Sequence, residues 1–172
     1  LEFRRVLFRS WTWVADHDGA GKTLERISLK LTNNRGQNWG SSSTNNGTPG
    51  SANSIARADI APMILDPIHS PAIPKSTDTV IISASIADEL TNGVSVLLYT
   101  RVGPGAFASR PMFDDGAHGD DAPGDGRYAA PIAALPNGSV LEFYIEAKDA
   151  AGNTRTWPAP ATTSTGVRQA AN

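Results

Sequence analysis

Cysteine is absent from all 172 residues. That removes disulfides, thiolate metal sites and a cysteine nucleophile together. It does not assign a reducing compartment, because a domain of about 100 residues can bury enough core without cross-links. Positive charge is in deficit, with 15 Lys and Arg against 17 Asp and Glu, which argues against a nucleic-acid partner that would need a basic stripe. No apolar run approaches the roughly 20 residues of a membrane span. His17, His69 and His118 share no metal-ligand spacing, and no Gly-x-Ser-x-Gly elbow supports a hydrolase. Residues 19–23, Gly-Ala-Gly-Lys-Thr, come near a phosphate loop, but Asp16 stands where that loop needs its first Gly. A hairpin turn is expected there. Aromatics are scarce at 7%, so a sugar-stacking row would have to be drawn from Tyr99, Tyr128, Tyr144 and Trp157.

Present instead are 16 Gly and 12 Pro among many Ser, Thr and Asn, the makings of a turn-rich all-β chain. The hydrophobic share of 40% and charged share of 19% are those of an ordinary globular domain. Residues 1–10, Leu-Glu-Phe-Arg-Arg-Val-Leu-Phe-Arg-Ser, resemble a translated sequencing adapter and are set aside from fold reasoning. Without their three Arg and one Glu the formal charge moves from −2 to −4.

Residues 11–54 form a first unit. Residues 23–31 alternate, with Ile27, Leu29 and Leu31 on one face and Arg26, Ser28 and Lys30 on the other, the period of a half-buried strand. Residues 40–54 are almost entirely Ser, Thr, Asn, Gly and Pro. One strand and a few Trp cannot close a core, so this unit is incomplete. Leu24-Glu25-Arg26-Ile27, Asn38-Trp39 and Gly47-Thr48-Pro49-Gly50 followed by Asn53-Ser54 resemble the C-terminal end of a lamin-tail domain. That resemblance implies a truncated immunoglobulin-like fragment of a bacterial surface or secreted protein.

Residues 55–61 read as a linker and residues 62–160 as a second unit, with a flexible tail at 161–172. Residues 62–69 suit an edge strand, since Pro62 and Pro67 cannot donate to a ladder. Residues 78–88 place Val80, Ile82, Ala84 and Ile86 inward and Thr79, Ser83 and Ser85 outward. Residues 93–102 are apolar on both faces, as a central strand would be. Residues 107–113 and 127–134 add short strands. Leu141, Phe143, Ile145 and Ala147 line an inner face, with Glu142, Tyr144, Glu146 and Lys148 outside, and residues 154–157 complete the set. About seven short strands at this spacing predict a β-sandwich. The marks His69-Ser70-Pro71, Asp78-Thr79-Val80, the Asp- and Gly-rich run 114–126 and Phe143-Tyr144-Ile145-Glu146-Ala147 resemble a bacterial immunoglobulin-like or fibronectin type III-like module. Such modules follow lamin-tail domains in long secreted proteins.

Residues 113–128 are the densest stretch. Asp114, Asp115, Asp120, Asp121 and Asp125 alternate with four Gly, and no cation appears until Arg127. Neighbouring carboxylates about 6 Å apart repel by roughly 1–3 kcal/mol at intermediate dielectric. Two arrangements relieve this. Asp side chains can cap the backbone N–H groups of tight turns, or they can surround a hard cation, of which Ca²⁺ fits clustered carboxylates best. The spacing is not that of an EF-hand. The loop is expected to leave the sheet at Phe113 and re-enter at Tyr128 with both rings packed on the sandwich. The functional expectation is a non-catalytic spacer or adhesion-type module of a large secreted or cell-surface protein. Its partners would be neighbouring domains of the same chain, with protein or glycan ligands at the surface. The alternative is an accessory, carbohydrate-binding or packing domain of an extracellular enzyme.

Overall fold

The computed structural model describes residues 2–5 and 19–159. Expectations that concern residues 6–18, among them Asp16 and His17, and the tail at 161–172 lie outside the described residues. The strands in chain order are β1 Glu2–Arg5, β2 Lys22–Arg26, β3 Trp39–Asn45, β4 Met63–Ser70, β5 Val80–Ala87, β6 Ser95–Val102, β7 Ala108–Met112, β8 Arg127–Ile132, β9 Val140–Lys148 and β10 Thr154–Trp157. The chain is all-β, and β4 to β10 form a sandwich. One sheet runs β4-β5-β8 and the other β10-β9-β6-β7, every neighbour antiparallel. β10 covers only Ile145–Lys148 of the outer edge of β9. Backbone Glu2–Arg5 lies parallel to Val140–Phe143 along the remainder.

Alternation accounts for the register. Leu141, Phe143, Ile145 and Ala147 are buried while the residues between them are half-buried. A one-residue slip would reverse that. They meet Val80, Ile82 and Ala84 of β5 and Val96 and Leu98 of β6 in one core. Each large side chain fully buried there contributes about 1.5–3 kcal/mol. β6 is central, as its two apolar faces imply. Ser83 departs from expectation: although it lies between inward neighbours it is 3% exposed, because the Arg127 guanidinium donates to its Oγ at 2.8 Å. Phe113 departs too. It is 39% exposed and stacks on His118, ring centroids 4.4 Å apart, while Tyr128 packs against the core as expected.

The first unit differs most from its sequence reading. β2 stops at Arg26, and residues 27–35 bend irregularly rather than continue as a strand. Leu31 is buried, but Leu29 is 75% exposed. The cause is Asn38, fully buried, whose side chain accepts from Ser28 N at 2.7 Å and donates to Ser28 O at 2.8 Å and Thr32 O at 2.9 Å. Arg26 adds donations to the carbonyls of Ser28, Leu29 and Leu31. These bonds curl the chain where alternation alone would extend it. β3, polar after Trp39 and Gly40, pairs with β2 in a two-stranded hairpin.

The hairpin unit rests on the sandwich. Leu31, Ile60 and Met63 form a second buried cluster, with Ile27, Leu65 and Ala87 against it. Gln37 Nε2 donates to Ile64 O at 2.8 Å, and Ile64 N donates to Gln37 Oε1 at 3.0 Å. Arg155 donates to Pro62 O at 2.9 Å, Ala61 O at 3.2 Å and Gln37 O at 3.4 Å. Further along β4, Asp66 has φ +47° beside Pro67, and the ladder to β5 is interrupted between Leu65 and Ile68.

Candidate functional site

The acidic loop joins β7 to β8, with the Phe113–Ala129 bridge at its base. Asp114 reaches across it. Its Oδ1 accepts from Gly124 N at 2.8 Å and Asp125 N at 3.1 Å, and its Oδ2 from Gly126 N at 3.0 Å. Asp120 is the fully buried centre, accepting from Gly116 N at 2.6 Å and His118 N at 3.0 Å. Asp115 accepts from Ala117 N at 2.9 Å, and His118 Nδ1 lies 2.9 Å from it. Asp125 accepts from Arg127 N at 2.8 Å and Ala122 N at 3.3 Å. Asp121 pairs with the Arg127 guanidinium at 3.2 Å. The five predicted residues are thus brought into one loop, each facing a backbone donor or a cation. Gly116 makes this geometry available. Its φ is +74°, and a Cβ there would lie 2.8 Å from Pro123 Cδ, so both conformation and space favour Gly.

The electrostatics follow the donors. Burial pushes the Asp120 carboxyl up, but the N–H groups of Gly116, His118, Asp120 itself and Asp115 outweigh it, and the group lies below the usual aspartate range. Asp115 is lowered by His118 first and the Ala117 N–H second. Hydrogen bonds to the charged form favour that form. Glu25, buried in the first unit, follows the same rule. Burial raises it, yet Ser54 and Thr48 with the N–H groups of Ser54 and Ile55 hold it low.

A second acidic group is found at the foot of the sandwich, where the linker meets two strand ends. Asp59, Asp88 and Glu89 each place a carboxylate oxygen within 4.8 Å of the others. Asp88 Oδ2 accepts from Leu90 N at 3.1 Å and Glu89 Oε2 from Ile60 N at 3.3 Å. Asp88 Oδ1 and Glu89 Oε1 are buried with no hydrogen-bond donor. Burial, then the charges of Glu89, Asp149 and Asp59, push Asp88 above its usual range. Sequence reading missed this group. Its members come from the linker and the turn after β5, 29 residues apart, and only the fold joins them. The one local signal is the Asp88-Glu89 pair directly after an apolar strand.

The outer face of the sheet that contains β6 and β9 carries aromatics. Tyr99 and Tyr144, opposite each other on β6 and β9, stack at 4.4 Å with 6° between planes. Phe107 meets Tyr144 edge-on at 5.1 Å, and the Arg101 guanidinium lies 4.6 Å from the Phe107 ring centre while bonding Glu142 at 2.5 Å. Burial and the neighbouring Glu146 charge raise the Tyr99 hydroxyl. Tyr128 and Trp157 pack against the core instead of extending this row. Among the described residues no helix is long and apolar enough to cross a membrane. Comparison with models of known protein families and with curated proteins finds no match.

Proposed function

We propose that the chain is a non-catalytic structural module of a large secreted or cell-surface bacterial protein. In this reading an immunoglobulin-like or fibronectin type III-like sandwich is preceded by a lamin-tail-like fragment, and together they act as a spacer. The observation that carries the reading is the acidic loop. The stretch richest in functional groups commits its carboxylates to the chain's own N–H groups and to Arg127. Such a loop holds itself in shape, which suits a load-bearing connector. Calcium there would have to displace donors already in place.

The carbohydrate-binding alternative needs aromatic faces open to a sugar ring. Tyr99 and Tyr144 spend a face on each other, and Phe107 turns toward Tyr144, which favours the spacer reading. A glycan array probed with the full chain tests this. The expected result is no binding above background. Saturable binding that Tyr99→Ala removes would overturn the spacer reading in favour of the accessory domain.

A further inference from the structure

A two-stranded hairpin is marginal in water, and β2–β3 with its polar turns has few apolar side chains of its own to bury. It nonetheless meets the sandwich through a layered seam. At its centre Leu31 packs with Ile60 and Met63. Beside that, the Gln37 amide makes with Ile64 the paired donation and acceptance that a neighbouring strand would make. Gln37 therefore occupies the outer edge of β4 in place of a strand. Arg155, from β10 of the opposite sheet, ties the same loop and the linker down through the carbonyls of Gln37, Ala61 and Pro62. Asn153 donates to Asp59 at 3.0 Å, and Arg35 pairs with Asp66 at 2.7 Å on the exposed margin. Both sheets of the sandwich thus hold the incoming unit, and a swivel about the linker would break the Gln37–Ile64, Arg155–Gln37 and Arg35–Asp66 bonds together.

We infer that the edge of β4 and Arg155 form a docking surface for the loop of a preceding lamin-tail-like unit, and that the seam locks the two units at a fixed angle. The linker at 55–61 is then part of a stiff joint and not a tether. This inference rests on the spacer reading and deepens it: the spacer has a set geometry, and the partner of this surface is the unit before it in the chain.

Residual dipolar couplings of the intact chain test the joint. Amide vectors of β2 and β3 and those of β5, β6 and β9 are expected to fit one alignment tensor. In Gln37→Ala combined with Arg155→Ala, the hairpin vectors should leave that tensor. Failing that, the Ile27 and Arg57 amides, which bond Asn38 O and Ile27 O, should lose hydrogen-exchange protection by at least about tenfold while the sandwich keeps its own. Arg35→Ala, touching only the exposed margin, should change neither. Two tensors in the wild-type chain, or one tensor and full protection in the double variant, would overturn the seam. Neither result bears on glycan binding, so failure of the joint and failure of the spacer reading are separable.

Discussion

Two acidic regions of the same sandwich reach opposite electrostatic outcomes. In the loop between β7 and β8, five aspartates crowd together, and the Asp115 and Asp120 carboxyls lie below the usual aspartate range. At the joint, three carboxylates converge and Asp88 shifts upward. Charge density does not separate them, since the loop has more of it. Donor supply does. The glycines at positions 116, 124 and 126 turn their N–H groups toward Asp120 and Asp114. At the joint the converging segments each bring one N–H, and two buried oxygens receive none. A carboxylate cluster is stable or strained according to how many backbone donors the local conformation releases to it.

The largest effect should come from emptying the loop's centre. Asp120→Ala leaves the Gly116 and His118 N–H groups without their acceptor in a buried position, at a cost of about 2–4 kcal/mol. At roughly 2–4 °C per kcal/mol for a chain of this size, a thermal melt should fall by several degrees. A loss under about 1 kcal/mol would mean that the cap contributes little.

The comparison sharpens when one substitution is made in both places. Asp120→Asn removes a charge that donors stabilise and should destabilise. Asp88→Asn removes a charge that burial and its neighbours oppose, and should stabilise. Chemical denaturation of the two variants beside wild type reads both signs, and a shared sign would erase the distinction between the regions.

The pH dependence should separate the regions as well. Asp115 and Asp120 have depressed folded values, so their contribution is present above about pH 4 and is lost as pH falls through those values. Asp88 has a raised folded value. Its contribution is therefore full below about pH 4 and is lost as pH rises through the raised value. Melting temperatures of the two Asn variants should differ from wild type in opposite directions at pH 7 and converge on it in acid. Differences that persist in acid would point to packing, not charge, as their origin.

The smallest effect is expected from millimolar Ca²⁺. With the Asp114 and Asp120 oxygens already accepting N–H bonds, the amide resonances of Gly116 and Gly124 to Gly126 should hold their positions in a titration. Saturable movement of those signals, reversed by chelator, would place a cation in the loop.

Much of the sandwich was legible because alternation reports burial directly. Phe143 and Ile145 read inward and are inward, and β6 reads central and is central. Legibility failed where a side chain outside the alternating run sets the conformation. Leu29 follows the inward period but is exposed, because the buried Asn38 amide curls residues 28–32 around itself. β3 has no apolar period to announce it, and Phe113 turns to a histidine within the loop. At the acidic loop the composition pointed to five aspartates that share one loop and accept its N–H groups or pair with Arg127. The choice of their partners depended on which N–H groups the glycines would turn inward, and composition does not carry that information.

The broken edge of β4 has a consequence for crowded settings. Modules strung on one chain meet at millimolar effective concentration, and an open sheet edge there would pair with its neighbour. Here Gln37 fills the position at Ile64, while Asp66 and Pro67 interrupt the ladder beyond it. On this side, the Gln37 amide that ties the hairpin unit down also closes the β4 edge at Ile64, so that it cannot pair with a strand of another module.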